Sequence, residues 1–349
     1  MKNATVYLPH HAVRELAPAP IDRHFARARR LRRRYARIAI VLAVLAAGRA
    51  ESLERLDFAP NPGALAAFLY RPERTQNPAP LVVALHGCAQ GAADVDDETG
   101  WSALADRLGF ILLLPQQPAD NNPARCFNWF NSADRARDGG EAESIRHMVE
   151  AVRANAAIDP ERIFAVGLSA GGGMASALLA THPDLFAGGA VIGAVPYGCA
   201  PNLLAALPCM RFGNRLVSSP DGWAQKVRQA APAGTERWPR LSIWHDAADP
   251  VVSPYNARSA VAQWIAVHGI DPAPDLDVRV GPHAHRLYRD TQGQARVEQW
   301  ITRGVGHATP IDAQSGCGRD DPTRTSDFVT DAGLCASREI ARFWGLLDR

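Results

Sequence analysis

One stretch constrains the fold of this chain more than any other: residues 163–173, with the sequence IFAVGLSAGGG. An apolar run typical of a buried strand leads through the pattern Gly-x-Ser-x-Gly into a helix of small residues. The turn between them is so sharp that side chains at positions 167 and 171 would collide, so glycine is required at both. The stretch predicts that Ser169 lies exposed on a strand-to-helix turn, in the position of a nucleophile. The alternative is a glycine-rich turn without chemistry.

The rest of the chain predicts the sheet to which this turn belongs. From residue 55 onward, short apolar runs bounded by glycine or proline alternate with helical patterns, as in a mainly parallel sheet covered by helices on both faces. We therefore expect an α/β fold and a single domain over residues 51–349. Segments 285–289 and 296–302 predict a hairpin at the sheet edge. The runs interpreted as parallel strands are Leu81–Leu85, Phe110–Leu114, Ile163–Val166, Ala190–Ile192 and Leu241–Trp244.

Residues 1–50 differ in composition from the remainder. They contain 11 of the 38 lysines and arginines but only two acidic residues. A basic run at 29–34 leads into the apolar run 38–47, and the sequence Gly-Arg-Ala at 48–50 offers small residues at the −3 and −1 positions of a cleavage site. This order predicts a secretory signal peptide with a long basic n-region, exported by either the Sec or the twin-arginine route. A membrane-spanning helix needs about 20 apolar residues, so we expect no stable membrane anchor after cleavage.

The charge balance excludes one class of partner. Without the leader, 27 basic and 34 acidic residues remain, a net charge of −7 for residues 51–349. A mildly acidic protein is not attracted to phosphate backbones, so we expect no nucleic-acid binding.

Six cysteines, at 88, 126, 199, 209, 317 and 335, agree with export to an extracellular or periplasmic location. An even number in an oxidising compartment indicates disulfides, with 15 possible pairings. Sequence proximity favours Cys199 with Cys209 and Cys317 with Cys335, which leaves Cys88 with Cys126. One or more free buried thiols are the alternative.

A serine nucleophile needs a general base and an acid that orients it, and these follow the serine in the order acid, then histidine, in this kind of fold. After the strand ending at Trp244 comes the sequence HDAADPVV, and after a later strand comes GVGHA, which contains His307. Loops at the carboxyl edge of a parallel sheet share one crevice, so they can converge on Ser169. We prefer Asp249 to Asp246 as the acid, because the Asp-Pro-Val turn projects its side chain from the loop.

The third requirement is a pair of backbone N–H groups that stabilise an oxyanion. One is expected from Ala170, directly after the nucleophile. The other is expected from Cys88 in the loop LHGCAQG, whose His86-Gly87 pair is typical of such loops. A Cys88–Cys126 disulfide would brace this loop against the sequence CFNWF, where Trp129 and Phe130 either wall an apolar substrate groove or are ordinary core aromatics.

No cofactor or metal is expected. Asp94, Asp96, Asp97 and Glu98 resemble the start of a calcium loop but lack its later ligands, so a solvated cluster at a helix start is the better interpretation. The sequence has no phosphate-binding loop and no dinucleotide fingerprint.

Together these stretches resemble the poly(3-hydroxybutyrate) depolymerase family of secreted serine esterases, α/β-hydrolases related to feruloyl and acetylxylan esterases. The resemblance covers nearly all of residues 80–346. The matching stretches are LHGCAQG (85–91), TGWSALADRLGFILLLPQQ (99–117), CFNWF (126–130), GLSAGGGMA (167–175), PYGCA (196–200), WPRLSIWHDAADPVVSPYNA (238–257), GVGHATPI (304–311) and IARFWGL (340–346).

The resemblance implies the α/β-hydrolase fold and hydrolysis of poly(3-hydroxybutyrate) or its short oligomers, with a feruloyl or acetylxylan esterase as the alternative. It implies nucleophile Ser169, acid Asp249, base His307, an oxyanion loop at His86 and Cys88, and no cofactor. Position 246 is usually glycine in such enzymes, so Asp246 is a departure that places a second carboxylate near the site. Depolymerases that attack crystalline polymer usually carry a further polymer-binding domain, so we expect a preference for amorphous polymer, oligomers or another ester.

Overall fold

The computed structural model describes residues 53–213, 219–318 and 326–347, and the predicted leader at 1–50 lies outside these ranges. Ten strands form one sheet in the order β1-β2-β4-β3-β5-β6-β7-β10-β9-β8, and a small parallel pair, β11-β12, forms a second. The strands are β1 (Glu54–Arg55), β2 (Ala66–Tyr70), β3 (Ala79–Leu85), β4 (Ile111–Gln116), β5 (Ile158–Leu168), β6 (Gly188–Ile192), β7 (Arg240–Asp246), β8 (Leu276–Val280), β9 (His283–Arg289), β10 (Ala295–Thr302), β11 (Thr309–Ile311) and β12 (Val329–Asp331).

Helices cover both faces of the large sheet. They are α1 (Ala92–Thr99), α2 (Trp101–Leu108), α3 (Gly140–Asn155), α4 (Ala170–Thr181), α5 (Leu203–Phe212), α6 (Pro220–Ala230), α7 (Tyr255–His268) and α8 (Ala336–Trp344). Among the residues described, no helix is long and apolar enough to cross a membrane.

Strand β3 shows how the sequence builds two cores. All seven of its residues are buried, and successive side chains point to opposite faces of the sheet. Leu81, Val83 and Leu85 pack in a core with α3, α4, α6 and α7, whereas Val82 and Ala84 pack in a second core with α1, α2 and α8. A strand buried on both faces must be apolar at every position, which is why its sequence has no alternation.

The five predicted parallel strands are confirmed as β3 to β7, and the predicted hairpin is confirmed as β9 and β10. Its predicted place at the sheet edge is wrong. Strand β10 pairs in parallel with β7, and β8 pairs with the outer side of β9. The sequence analysis missed β8 because four of its five residues are exposed, so no buried face marks it in the sequence.

The topology brings distant loops to one edge of the sheet. Strands β3, β5, β7 and β10 run parallel within one continuous ladder, so the loops that follow them open on the same side. All three predicted disulfides are confirmed: Cys88–Cys126, Cys199–Cys209 and Cys317–Cys335.

Candidate active site

Ser169 lies between the last residue of β5 and the first residue of α4, with φ of 54° and ψ of −116°. A positive φ is strained for a residue with a side chain, and such strain is found mainly at functional sites. Gly167 and Gly171 are required for steric reasons, because a larger side chain at either position would clash with the backbone. A Cβ on Gly167 would lie 2.3 Å from the carbonyl carbon of Gly171, and a Cβ on Gly171 would lie 2.4 Å from the His86 carbonyl oxygen. The turn is therefore packed directly on the loop after β3.

His307 and Asp249 complete a chain of hydrogen bonds to this serine. The Nε2 atom of His307 lies 2.9 Å from Ser169 Oγ, and its Nδ1 atom lies 2.8 Å from Asp249 Oδ2. The other Asp249 oxygen accepts hydrogen bonds from the N–H groups of Val251 and Val252, at 2.8 and 2.9 Å. Burial acts to raise the pKa of Asp249, but the hydrogen bonds from His307 and these N–H groups outweigh it and hold the pKa below its ordinary value. The buried carboxyl group is thus ionised and oriented toward the imidazole.

Asp246 has a different position. It is the last residue of β7, and its Oδ1 accepts from the N–H of Ala248 at 2.9 Å. Its Oδ2 accepts from the N–H of Val305 at 2.9 Å and from Thr302 Oγ1 at 3.3 Å. This carboxylate connects the loop that carries Asp249 to the loop that carries His307.

His245, which lies beside Asp249, is a residue that the sequence analysis missed. Its Nε2–H donates to the carbonyl oxygen of Val252 at 2.8 Å, and the same nitrogen lies 3.4 Å from Asp249 Oδ2. Burial lowers the pKa of His245, so a neutral imidazole packs beside the ionised Asp249. A buried histidine directly after the apolar run at 241–244 is the signal that could have identified it.

The predicted oxyanion donors lie beside Ser169. Cys88 and Ala170 line the same pocket as the serine. Within the described part of the chain, neither backbone N–H has a hydrogen-bond acceptor. Two N–H groups without acceptors beside a partly exposed serine are the arrangement that binds an oxyanion. The Cys88–Cys126 disulfide holds this loop, and the N–H of Ala89 donates to the carbonyl oxygen of Ala124 at 2.8 Å.

The ring of His86 points away from the pocket. Its Nδ1–H donates to the Gly87 carbonyl oxygen at 2.7 Å, and its Nε2 accepts from the N–H of Gln117 at 3.0 Å. Burial lowers the pKa of His86 to about 4, which agrees with a neutral ring that donates at one nitrogen and accepts at the other. The side chain holds the oxyanion loop against the end of β4.

Glu141 is a second residue that the sequence analysis missed. It is fully buried at the start of α3 and accepts hydrogen bonds from Gln117 Nε2 at 2.5 Å and from both the N–H and the Nδ2 of Asn128, each at 2.7 Å. Burial raises the pKa of Glu141 to about 7, with a smaller contribution from Asp134. This carboxyl group connects the His86–Gln117 contact to the segment that carries Trp129. A glutamate at a helix start gives no local sign of such a role.

The pocket beside Ser169 has a volume of about 220 Å³ and an almost wholly apolar lining. The Trp129 ring contacts the helix at Gly173, where a Cβ would lie 2.7 Å from the ring. Phe130 packs against it edge to face, with 5.5 Å between ring centroids. Both aromatic side chains therefore line the pocket, and Trp129 is also buried. The full lining is Cys88, Cys126, Trp129, Phe130, Ser169, Ala170, Ala194, Val195, Leu203, Ala206, Leu207, Met210 and Val252.

Nothing in the described ranges forms a group of three or more His, Cys, Asp or Glu side chains arranged to bind a metal ion. The acidic cluster at 94–98 makes contacts of its own. Asp94 Oδ2 accepts from the N–H of Gly91 at the start of α1, and Glu98 accepts from Ser326 Oγ.

Comparisons with known proteins identify the family and the fold. Residues 65–279 match the family model described as Esterase PHB depolymerase. Poly(3-hydroxyalkanoate) depolymerase C of Paucimonas lemoignei is 39% identical over 308 residues, covering 88% of this chain and 73% of that protein. An acetylxylan esterase of Coprinopsis cinerea is 31% identical over 256 residues, covering 72% and 68%. The solved structure of an acetyl xylan esterase from Aspergillus awamori has a TM-score of 0.71 at 22% identity and covers 85% of this chain and 100% of that one, which shows a shared α/β-hydrolase fold.

Proposed function

We propose that this chain, which belongs to the Esterase PHB depolymerase family of carboxylic ester hydrolases, hydrolyses aliphatic polyesters such as poly(3-hydroxybutyrate), or their oligomers, at Ser169. The observation that carries the proposal is the hydrogen-bonded chain from Ser169 Oγ through His307 to Asp249. A serine, an imidazole and a carboxylate in this order form the arrangement that activates a hydroxyl group for attack on a carbonyl carbon.

In this mechanism, Ser169 Oγ attacks the ester carbonyl while His307 Nε2 accepts the hydroxyl proton. Asp249 holds the imidazole in the required orientation and stabilises its positive charge. The N–H groups of Cys88 and Ala170 donate hydrogen bonds to the oxyanion that forms on the carbonyl oxygen. His307 then gives its proton to the leaving alcohol, and water releases the hydroxy acid from Ser169 by the reverse sequence of proton transfers.

The pocket is apolar and is walled by Trp129 and Phe130, so it fits an acyl group made of methyl and methylene groups. The name of the Paucimonas relative gives the polyester class. Relatives named acetylxylan esterase and feruloyl esterase B support the alternative, an ester of a plant polysaccharide.

We further propose that residues 1–50 are a cleaved leader and that residues 51–349 are a single exported catalytic domain. Three disulfides in the described part of the chain fit an oxidising compartment. The N-terminal sequence of the exported protein tests the first statement: a start near residue 51 supports cleavage, and a start near residue 1 contradicts it.

The test of function uses the exported, oxidised protein. A fluorophosphonate probe should label Ser169, and the protein should clear a suspension of amorphous poly(3-hydroxybutyrate). Methyl ferulate hydrolysis on the same preparation separates the two substrate classes, since ferulate release without clearing would support the plant-ester alternative. Ser169→Ala should abolish labelling and clearing while the melting temperature stays unchanged, and retained hydrolysis by this variant would overturn the assignment of the nucleophile.

A further inference from the structure

Helix α5 carries an unusual apolar surface next to the candidate active site. Leu203, Leu204 and Leu207 are 63%, 89% and 65% exposed. Single exposed leucines are ordinary on soluble proteins, but a contiguous group beside a binding pocket indicates an interaction site. We call these three side chains the leucine face of α5.

Contacts on the opposite side of α5 keep the leucine face exposed to solvent. Its other side is buried through Ala206 and Cys209, and Cys209 is bonded to Cys199. Asn256 Nδ2 donates to the carbonyl oxygens of Cys209 and Met210, each at 3.1 Å. These contacts fix the rotation of the helix, so the leucines have no core position to which they can turn.

The leucine face is continuous with the pocket. Leu203 and Leu207 line the pocket that contains Ser169 and are also largely exposed to solvent. Leu204 lies beyond the pocket lining on the same helix and extends the apolar surface outward. A substrate that is longer than the pocket and extends toward α5 lies on these side chains.

The chemistry of the face selects an uncharged, apolar substrate. Residues 203–210 have the sequence LLAALPCM, without a charged or hydrogen-bonding side chain. The pocket of about 220 Å³ is smaller than the roughly 300–1,000 Å³ that encloses a drug-sized ligand. A small phenolic ester needs no contact beyond such a pocket, and a polysaccharide would present hydroxyl groups to leucines that cannot bond them.

On the basis of the proposed function, we propose that the leucine face of α5 binds the repeat units of an aliphatic polyester that flank the ester being cleaved. The methyl and methylene groups of those units lie on the leucines, and the scissile ester enters the pocket. This surface attaches the catalytic domain to insoluble polymer directly.

The test compares two matched variants, Leu204→Gln and Val280→Gln. Leu204 lies outside the pocket lining, whereas Val280 is 43% exposed on β8, at the far end of the sheet. Adsorption to amorphous poly(3-hydroxybutyrate) granules, granule clearing and hydrolysis of soluble p-nitrophenyl butyrate are measured for both variants and for the unmodified protein. Leu204→Gln should weaken adsorption and clearing about tenfold, with soluble-ester hydrolysis unchanged, and Val280→Gln should change none of the three.

Equal adsorption and clearing by Leu204→Gln and the unmodified protein would overturn the inference and leave the proposed function intact. A parallel loss of soluble-ester hydrolysis in Leu204→Gln would also overturn it, because the change would then act on the pocket. An unmodified protein that is labelled at Ser169 but never clears granules would overturn the polyester substrate itself, and the inference with it.

Discussion

The two sides of Ser169 are held by different physical means. On the β7–β10 side, the carboxyl oxygens of Asp249 and Asp246 accept hydrogen bonds from backbone N–H groups and orient the loop of His307. On the β3–β4 side, a disulfide, a neutral histidine and the buried Glu141 hold the oxyanion loop and the aromatic wall. The difference follows from the chemistry: a developing imidazolium needs a fixed negative charge, whereas an oxyanion needs N–H donors with no negative charge nearby.

The pKa values of the two buried carboxyl groups express this contrast. Hydrogen bonds from His307 and two N–H groups hold the pKa of Asp249 below its usual range despite burial. Burial raises the pKa of Glu141 to about 7. Asp249 therefore keeps its charge throughout the mildly acidic range, whereas Glu141 changes protonation around neutral pH.

The largest expected effect is on the charged side. Asp249→Asn should lower kcat by about 10³–10⁴-fold, because an amide neither stabilises the imidazolium nor holds the required tautomer. Steady-state kinetics on p-nitrophenyl butyrate measure the loss, and an unchanged melting temperature controls for folding. A larger loss from Asp246→Asn than from Asp249→Asn would reassign the acid to Asp246.

Removal of the Cys88–Cys126 disulfide should have the next largest effect. Replacing both cysteines with serine frees the loop that carries the Cys88 N–H, and weakening one oxyanion donor costs about 10²-fold in kcat. The link closes a separation of 38 residues, so the free energy of unfolding should fall by about 2–4 kcal/mol. The Cys317–Cys335 pair is the matched control, since its double serine variant should lose stability but keep kcat. Equal loss of kcat in both variants would contradict a local role.

Glu141→Gln should act on binding more than on chemistry. The amide places a donor against Gln117 or Asn128, which loosens the wall of Trp129 and Phe130 and should raise KM about fivefold with a smaller change in kcat. Activity assays on esters with acyl chains of increasing length measure kcat and KM separately. A fall in kcat with unchanged KM in Glu141→Gln would contradict this prediction. It would show that the β3–β4 side contributes to the chemical step rather than to substrate binding.

The same variant tests the pH dependence of stability. The pKa of Glu141 is about 7 in the folded protein against an ordinary 4.5, so the folded state retains a proton that the unfolded chain has lost. Its contribution to stability is full below about pH 4.5 and declines, by no more than about 3 kcal/mol, as the pH rises to about 7. Urea unfolding at pH 5 and pH 7.5 should show a smaller difference for Glu141→Gln than for the unmodified protein, and an identical difference would refute the pKa assignment.

The smallest expected effect is that of Asp246→Asn. The amide keeps an acceptor for Ala248 but turns a donor toward the N–H of Val305, which should cost about 1–2 kcal/mol of stability. His307 remains paired with Asp249, so kcat should fall no more than about threefold. Chemical denaturation and kinetics on one preparation measure both quantities, and a loss of kcat near that of Asp249→Asn would mean that the loop connection is part of the catalytic geometry.

The comparison also shows what sequence patterns can identify. Ser169, Asp249 and His307 each follow a predicted strand in a short local motif. They can therefore be selected from the sequence although His307 lies 138 positions from Ser169 and 58 from Asp249. Glu141 has no such motif, because its role depends on Gln117 and Asn128, which lie 24 and 13 positions away. The prediction that the hairpin lies at the sheet edge is wrong because the outer strand β8 is mostly exposed and no buried face marks it in the sequence.

By itself, the sequence determined the five parallel strands, the tight turn at Ser169 and the order of the three polar residues. These features depend on local physics, namely continuous apolar runs buried on both faces and the steric collision that requires Gly167 and Gly171. Only the tertiary structure decided that Glu141 is enclosed, that Asp246 connects two loops and that the leucine face of α5 remains exposed. Burial and exposure are set by neighbours that the chain supplies from far away, and no local pattern contains that information.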